Sequence, residues 1–207
     1  MNKNFFARLG VVLVGLFFIF AYLVNKDVFV SFDFDFTVRL QNNISRSFDT
    51  FFSSFSLLGS VEITTLVLLV IVVFNRKIEG AGVVFLFVLA LVIEIAGKTF
   101  INHPGPPSMF HRYDIPVTMP SFYVNPGFAF PSGHSMRTAF LALIIFYISA
   151  RSKKLSKSNK ILILCFILLL SLIMYASRVY LGEHWASDVI GGFLLGTGFA
   201  AFAVLFL

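Results

Sequence analysis

The sequence predicts an all-α protein: a polytopic membrane helical bundle with six transmembrane helices and an external amphipathic or irregular cap, organised as one domain over residues 1–207. Three observations predict it. Hydrophobic residues make up 58% of the chain and charged residues 13%, a balance too apolar for a soluble domain of 207 residues. Apolar runs recur at roughly the length that a hydrocarbon core of about 30 Å requires. Basic residues gather in alternate connecting segments, the pattern of a chain threaded repeatedly through a bilayer.

The first span covers 5–24. Its apolar run is long and no small-x-small pattern follows Val24, so it reads as a retained span and not a cleaved signal peptide. The others cover 57–74, 80–101, 133–148, 161–175 and 186–207, the shorter ones needing a few extra residues to cross. Between the first two lies 25–60, with the alternation Phe32-Asp33-Phe34-Asp35-Phe36 and then a mildly amphipathic stretch carrying Arg39, Arg46 and Asp49. The alternation suits a short strand or an interfacial anchor with its rings at headgroup level. A metal or headgroup role for Asp33 and Asp35 is a further reading. Asn43-Ile44-Ser45 has the form of a glycosylation sequon, a tripeptide common by chance. Residues 102–130 hold every proline but Pro131, with His103, Gly105, His111, Arg112 and Gly127, and predict an irregular, semi-rigid cap. Cys165 is the single cysteine; an intrachain disulfide is impossible, and its apolar setting suits a lipid-facing or packed thiol.

Charge orients the bundle. Lys3, Arg8, Arg76, Lys77, Arg151, Lys153, Lys154, Lys157 and Lys160 fall at the N-terminus and in the second and fourth loops, against the one acid Glu79. Those segments are expected in the cytoplasm, with both termini inside a plasma membrane. The net charge of +6 then reflects topology and gives nucleic-acid binding no support.

The remaining ionisable residues fall on the outer side, where intramembrane charge is costly enough to imply function. His184 and Asp188 stand four apart at the start of the last span, on one helical face. A carboxylate there can accept the proton of one imidazole nitrogen and leave the other as a nucleophile; a helix-end ion pair is the structural alternative. Arg178, six residues earlier, adds a guanidinium whose fork matches phosphate oxygens. Pro131-Ser132-Gly133-His134 opens an apolar helix. Free amides at such a start bind anions, Gly133 admits a close phosphate, Ser132 adds a hydroxyl, and His134 projects beside them. Lys98 ends the third span one turn after Glu94 and reads as a phosphate ligand, or as a snorkelling lysine with an i to i+4 partner.

These residues resemble the phosphatidic acid phosphatase type 2 superfamily, in its bacterial six-span membrane branch, whose pattern is Lys-x6-Arg-Pro, Pro-Ser-Gly-His and Ser-Arg-x5-His-x3-Asp. Here the three motifs read Lys98 to Pro106, Pro131 to His134, and Ser177 to Asp188. The first departs from the pattern, because Gly105 stands where the family has arginine. Arg137, Arg112 or His103 are candidate replacements for that cation. The resemblance implies metal-independent, cofactor-free dephosphorylation of a membrane lipid phosphate or diphosphate at the outer face. His184 would attack phosphorus to give a phosphohistidine, oriented by Asp188, with His134 protonating the leaving oxygen and Lys98, Arg178, Ser132 and Gly133 binding the phosphate. Undecaprenyl diphosphate, phosphatidylglycerophosphate and phosphatidic acid are the substrates the family offers. A lipid phosphotransferase and a non-catalytic lipid transporter or scramblase are the alternatives. A soluble haloperoxidase-like relative is excluded by the spans.

Overall fold

The computed structural model describes residues 2–74, 79–115 and 127–207. Arg76 and Lys77, used above to orient the chain, and Pro116, Pro120 and Pro126 of the cap lie outside them. The described residues form helices and irregular segments: α1 (Lys3–Asn25), α2 (Val30–Asn43), α3 (Asp49–Ser56), α4 (Val61–Phe74), α5 (Gly80–Phe100), α6 (Gly133–Arg151), α7 (Lys157–Tyr180) and α8 (Ala186–Ala203).

Among the described residues, five helical segments are long and apolar enough to cross a membrane, those of α1, α5, α6, α7 and α8. The second expected span differs. α4 has 14 residues, about 21 Å at the α-helical rise and short of a bilayer core of about 30 Å. It becomes a sixth span only together with Arg46–Gly59, from which it is bent by 48°. The bend has a local cause. The Ser60 hydroxyl accepts from the Ile63 amide and its carbonyl accepts from Thr64 Oγ1, so a fresh helix starts after Gly59. The chain is a multi-pass membrane protein, and its many exposed Phe, Leu, Ile and Val side chains follow from that setting.

The Phe-Asp alternation is helical, which removes the strand reading. On α2, residues four apart share a face, so Asp33, Thr37 and Gln41 are turned inward and buried. Phe32 and Phe36 pack together on the exposed side, their ring centroids 5.8 Å apart and their planes tilted by 37°.

α8 is the hub. It packs most extensively on α6 and α1, and glycines let its backbone come close. A Cβ on Gly192 would lie 2.3 Å from the Ser132 carbonyl oxygen, and one on Gly196 would lie 2.0 Å from that of Met136. This small-xxx-small spacing is how membrane helices reach van der Waals contact where lipid leaves little hydrophobic drive for association. The main core runs through Phe17, Phe87, Phe130, Phe140, Leu195 and Phe199. Cys165 is a free, exposed thiol on α7.

Candidate active site

Four helix ends converge at one end of the bundle. α5 delivers Glu94 and Lys98 in its last turns, α6 begins at Ser132-Gly133-His134, α7 ends around Arg178, and α8 begins just before Asp188. At the opposite end, Lys3 Nζ donates to the Leu205 carbonyl and the Glu79 amide to the Phe206 carbonyl.

The turn between α7 and α8 ties the third motif together. Glu183 and His184 both donate their amides to the Arg178 carbonyl, at 3.2 Å each. This wrap needs a left-handed residue, and Gly182 supplies it with φ of +69°. A Cβ there would also meet the Phe110 carbonyl oxygen at 2.3 Å. The cap clamps the same turn from outside. Arg112 donates its amide to the Leu181 carbonyl, and Gln41 Nε2 donates to the carbonyls of Phe110 and Tyr180.

His184 Nδ1 lies 3.4 Å from Asp188 Oδ2, and the same oxygen accepts from the Trp185 amide at 2.8 Å. Asp188 thus caps the first turn of α8 while facing the imidazole. With the proton on Nδ1, the lone pair lies on Nε2. Burial holds the His184 imidazole well below the usual histidine range, reinforced by Lys98, Arg178 and Arg137. A neutral ring is the form a nucleophile needs.

The cations surround that ring. Arg178 is buried, with Nη2 3.5 Å from Glu183 Oε2, while Nε and Nη1 have no hydrogen-bond partner among the described residues. His134 Nε2 is likewise buried and unpartnered among them. Its ring packs against Gly59, where a Cβ would come within 2.7 Å of Cδ2, so the break before α4 makes room for it. Ser132 is the N-cap residue of α6 but makes no side-chain cap bond; its hydroxyl instead accepts from Ser135 Oγ at 3.2 Å.

Glu94 is a site residue that the sequence reading treated only as a partner of Lys98. Its Oε1 lies 3.0 Å from Lys98 Nζ and its Oε2 3.0 Å from Arg137 Nη1, and Arg137 Nε donates to the Gly59 carbonyl. Gly133 is small because of this bridge: a Cβ there would sit 1.9 Å from Glu94 Oε1. Of the three candidate replacements for the missing arginine, Arg137 is held beside Lys98, through Glu94. Arg112 is committed elsewhere, donating to the carbonyls of Gln41 and Ile44 and lying over the Tyr180 ring. His103 is also displaced from the cationic role: its Nε2 faces Asp188 Oδ1 at 3.5 Å and Asp33 Oδ2 at 3.7 Å. Asp33 accepts from the Ser187 amide and hydroxyl, whereas Asp35 is exposed. Among the described residues, no group of three or more His, Cys, Asp or Glu side chains is arranged to hold a metal.

The chain is thus a helical membrane bundle that gathers a histidine–carboxylate pair, a second histidine and buried cations at one end. The chain belongs to the PAP2 superfamily, whose pattern matches residues 79–207. Over 69 residues, 33% of this chain, it is 38% identical to phosphatidylglycerophosphatase B of Bacillus subtilis (strain 168), and that alignment spans about a third (34%) of the relative's length. The fold is similar to the crystal structure of a transmembrane PAP2-type phosphatidylglycerolphosphate phosphatase from Bacillus subtilis, with TM-score 0.76 and 23% identity over 95% of this chain and 94% of that one. It is also similar to LpxE of Aquifex aeolicus, with TM-score 0.62 and 21% identity over 84% and 95% of the two chains.

Proposed function

We propose that the protein is a metal-independent lipid phosphatase that removes phosphate from a membrane lipid phosphate or diphosphate through a phosphohistidine. The observation that carries this reading is the set of buried nitrogens of Arg178 and His134 that have no hydrogen-bond partner among the described residues, beside a neutral imidazole backed by a carboxylate. Such groups are costly to bury without an occupant, and an anion is what they would bind.

In the proposed reaction His184 Nε2 attacks phosphorus while the bond to the leaving oxygen breaks, and His134 gives that oxygen a proton. Water then attacks the phosphohistidine, His134 takes up the water proton, and the P–N bond breaks to restore His184. Lys98, Arg178, Ser132 and the amides at the start of α6 hold the equatorial oxygens, the amides because the helix end is uncapped by a side chain. Arg137 reaches this cluster through Glu94 and takes the place of the absent arginine at Gly105. Asp188 holds the imidazole tautomer and stabilises the charge that develops on it.

Among substrates we favour phosphatidylglycerophosphate, the substrate named for the similar protein of Bacillus subtilis, over undecaprenyl diphosphate and phosphatidic acid. The site would face the extracytoplasmic side, because Lys3, Arg151 and Lys157 cluster at the other end of the helices and draw that end and both termini into the cytoplasm. The test is phosphate release from the three lipids by detergent-purified protein, with chelator present and His184→Ala as control. Release that survives chelation and vanishes in the variant supports the reading. Product that forms only with an added alcohol acceptor would indicate a phosphotransferase, and no turnover of any lipid would reject the enzyme altogether.

A further inference from the structure

His184 engages one oxygen of Asp188. The other, Oδ1, is fully buried, and no hydrogen bond of good geometry reaches it from the described residues. A buried carboxylate with one bare oxygen is poorly stabilised as an anion. The nearest donor shown is His103 Nε2, 3.5 Å away.

His103 is itself held from several sides. It lies in the segment after α5, is buried, and its carbonyl accepts from the Ala129 amide. Its Nε2 stands 3.3 Å from Ser187 Oγ and 3.7 Å from Asp33 Oδ2. Ser187 is not free to wander, because its amide and hydroxyl both donate to Asp33, at 2.8 and 2.6 Å. The Ser187 proton is thus committed to Asp33, so a proton on His103 Nε2 has two acceptors before it, Ser187 Oγ at 3.3 Å and Asp188 Oδ1 at 3.5 Å. The acidic groups facing His103 are Asp33 on α2, Asp188 on α8 and, at longer range, Asp27 in the turn between α1 and α2.

We propose that His103 is a positioning residue: fixed by Asp33 and Ser187, it shares its Nε2 proton between Ser187 Oγ and Asp188 Oδ1 and so holds that carboxylate aimed at His184. This rests on the reading of His184 and Asp188 as the catalytic pair. Burial pulls the His103 imidazole below its ordinary range, against the pull of Asp33 and Asp27, which keeps the ring neutral with a single proton to place. Both Asp33 oxygens already accept from Ser187, and Oδ2 stands farther from Nε2 than Asp188 Oδ1 does, 3.7 against 3.5 Å, so Asp33 competes less for that proton. The chain therefore joins α2, the segment after α5 and α8 behind the nucleophile: Asp33, Ser187, His103, Asp188, His184.

The experiment compares wild type, His103→Gln, His103→Leu and His184→Ala in phosphate release from phosphatidylglycerophosphate micelles across pH 5 to 9, with size-exclusion profile and melting temperature for each. Gln carries an amide N–H near the position of Nε2; Leu keeps bulk without a donor. His103→Leu should lower kcat by about 30-fold with KM within about twofold, the split expected when an interaction acts in the reaction more than in binding. A carboxylate deprived of a donor takes up a proton more readily, so its acid-side loss of activity should also move up by about one pH unit. His103→Gln should restore most of kcat and the wild-type acid limb. Wild-type kcat and acid limb in a folded His103→Leu would overturn the proposal. So would equal damage in Gln and Leu with the acid limb unmoved, which marks a packing role. Undiminished turnover in His184→Ala would instead reject the catalytic pair on which the proposal stands.

Discussion

Replacing Arg137 by Met tests whether Glu94 organises the cationic side of the site. Arg137 is buried, and its Nη1 stands 3.0 Å from Glu94 Oε2. At that separation a pair of unit charges is worth about 5 kcal/mol at an effective dielectric constant of 20. Removing one member of a buried pair typically costs about 3–5 kcal/mol, because the other is left uncompensated. Lys98 Nζ stays on Glu94 Oε1 at 3.0 Å, so the low end applies, about 3 kcal/mol. For a chain of this size that corresponds to a fall in melting temperature of roughly 6–12 °C. With Arg137 gone Glu94 serves Lys98 alone, so adding Glu94→Gln should cost less than it does in the wild type, and the double variant should lose less than the sum of the single losses by a coupling of about 1.5 kcal/mol or more. The assay is a thermal melt of detergent-purified wild type, both single variants and the double variant, followed by tryptophan fluorescence. An Arg137→Met melt within 2 °C of wild type on the scale just derived, or a double variant that loses the sum of both single losses, would refute the bridge.

Gly105→Arg should strengthen phosphate binding, since a Cβ at Gly105 meets only the Ala129 methyl at ordinary contact distance, 3.6 Å; a charge-assisted bond of about 1.5 kcal/mol would lower KM by roughly tenfold, and an unchanged or higher KM refutes it. Arg178→Ala, measured by kcat/KM for phosphate release, should cost roughly 10- to 150-fold, the range for one lost charge-assisted contact of about 1.5–3 kcal/mol. Gly182→Ala should lower both melting temperature and kcat, the strain of a left-handed alanine alone costing about 1 kcal/mol or more; full activity would show that the turn does not place His184. Because the folded His184 imidazole lies well below the unfolded value of 6.5, it stays neutral as pH drops through 6.5 while the unfolded chain gains a proton. Stability should therefore fall on acidification below about pH 6.5, but kcat should not drop with a midpoint there, and a pH–rate profile that does so would contradict the neutral nucleophile.

Much of the site was legible because its residues are expensive where they stand. Charge and hydroxyls at the ends of apolar runs, in three spaced motifs, pointed to Lys98, Ser132, Gly133, His134, Arg178, His184 and Asp188 before any contact was known, and the structure brings their helix ends together. Asp33 was harder to read. Phe32 to Phe36 alternates with period two, yet on a helix Asp33 aligns with Thr37 and Gln41, and this polar stripe is the buried one. An inward stripe of Asp, Thr and Gln carries no hydrophobic signal, so periodicity alone could not reveal it. The bridge from Glu94 to Arg137 spans elements far apart in sequence, and partner choice of that kind is set by packing. The hint lay in Arg137 itself, an arginine one turn inside an apolar helix. The short α4 was hidden because hydropathy registers apolar length and not the restart that Ser60 imposes.

Asp188 holds the Trp185 amide with the same oxygen that faces His184. On the proposed function, the nucleophile is therefore oriented by the residue that starts the last helix, so a nascent chain with five segments already inserted would carry every proposed phosphate ligand yet lack an aimed imidazole. Catalytic competence would then arrive in one step, when the final segment docks, with a half-assembled chain silent towards the lipids around it.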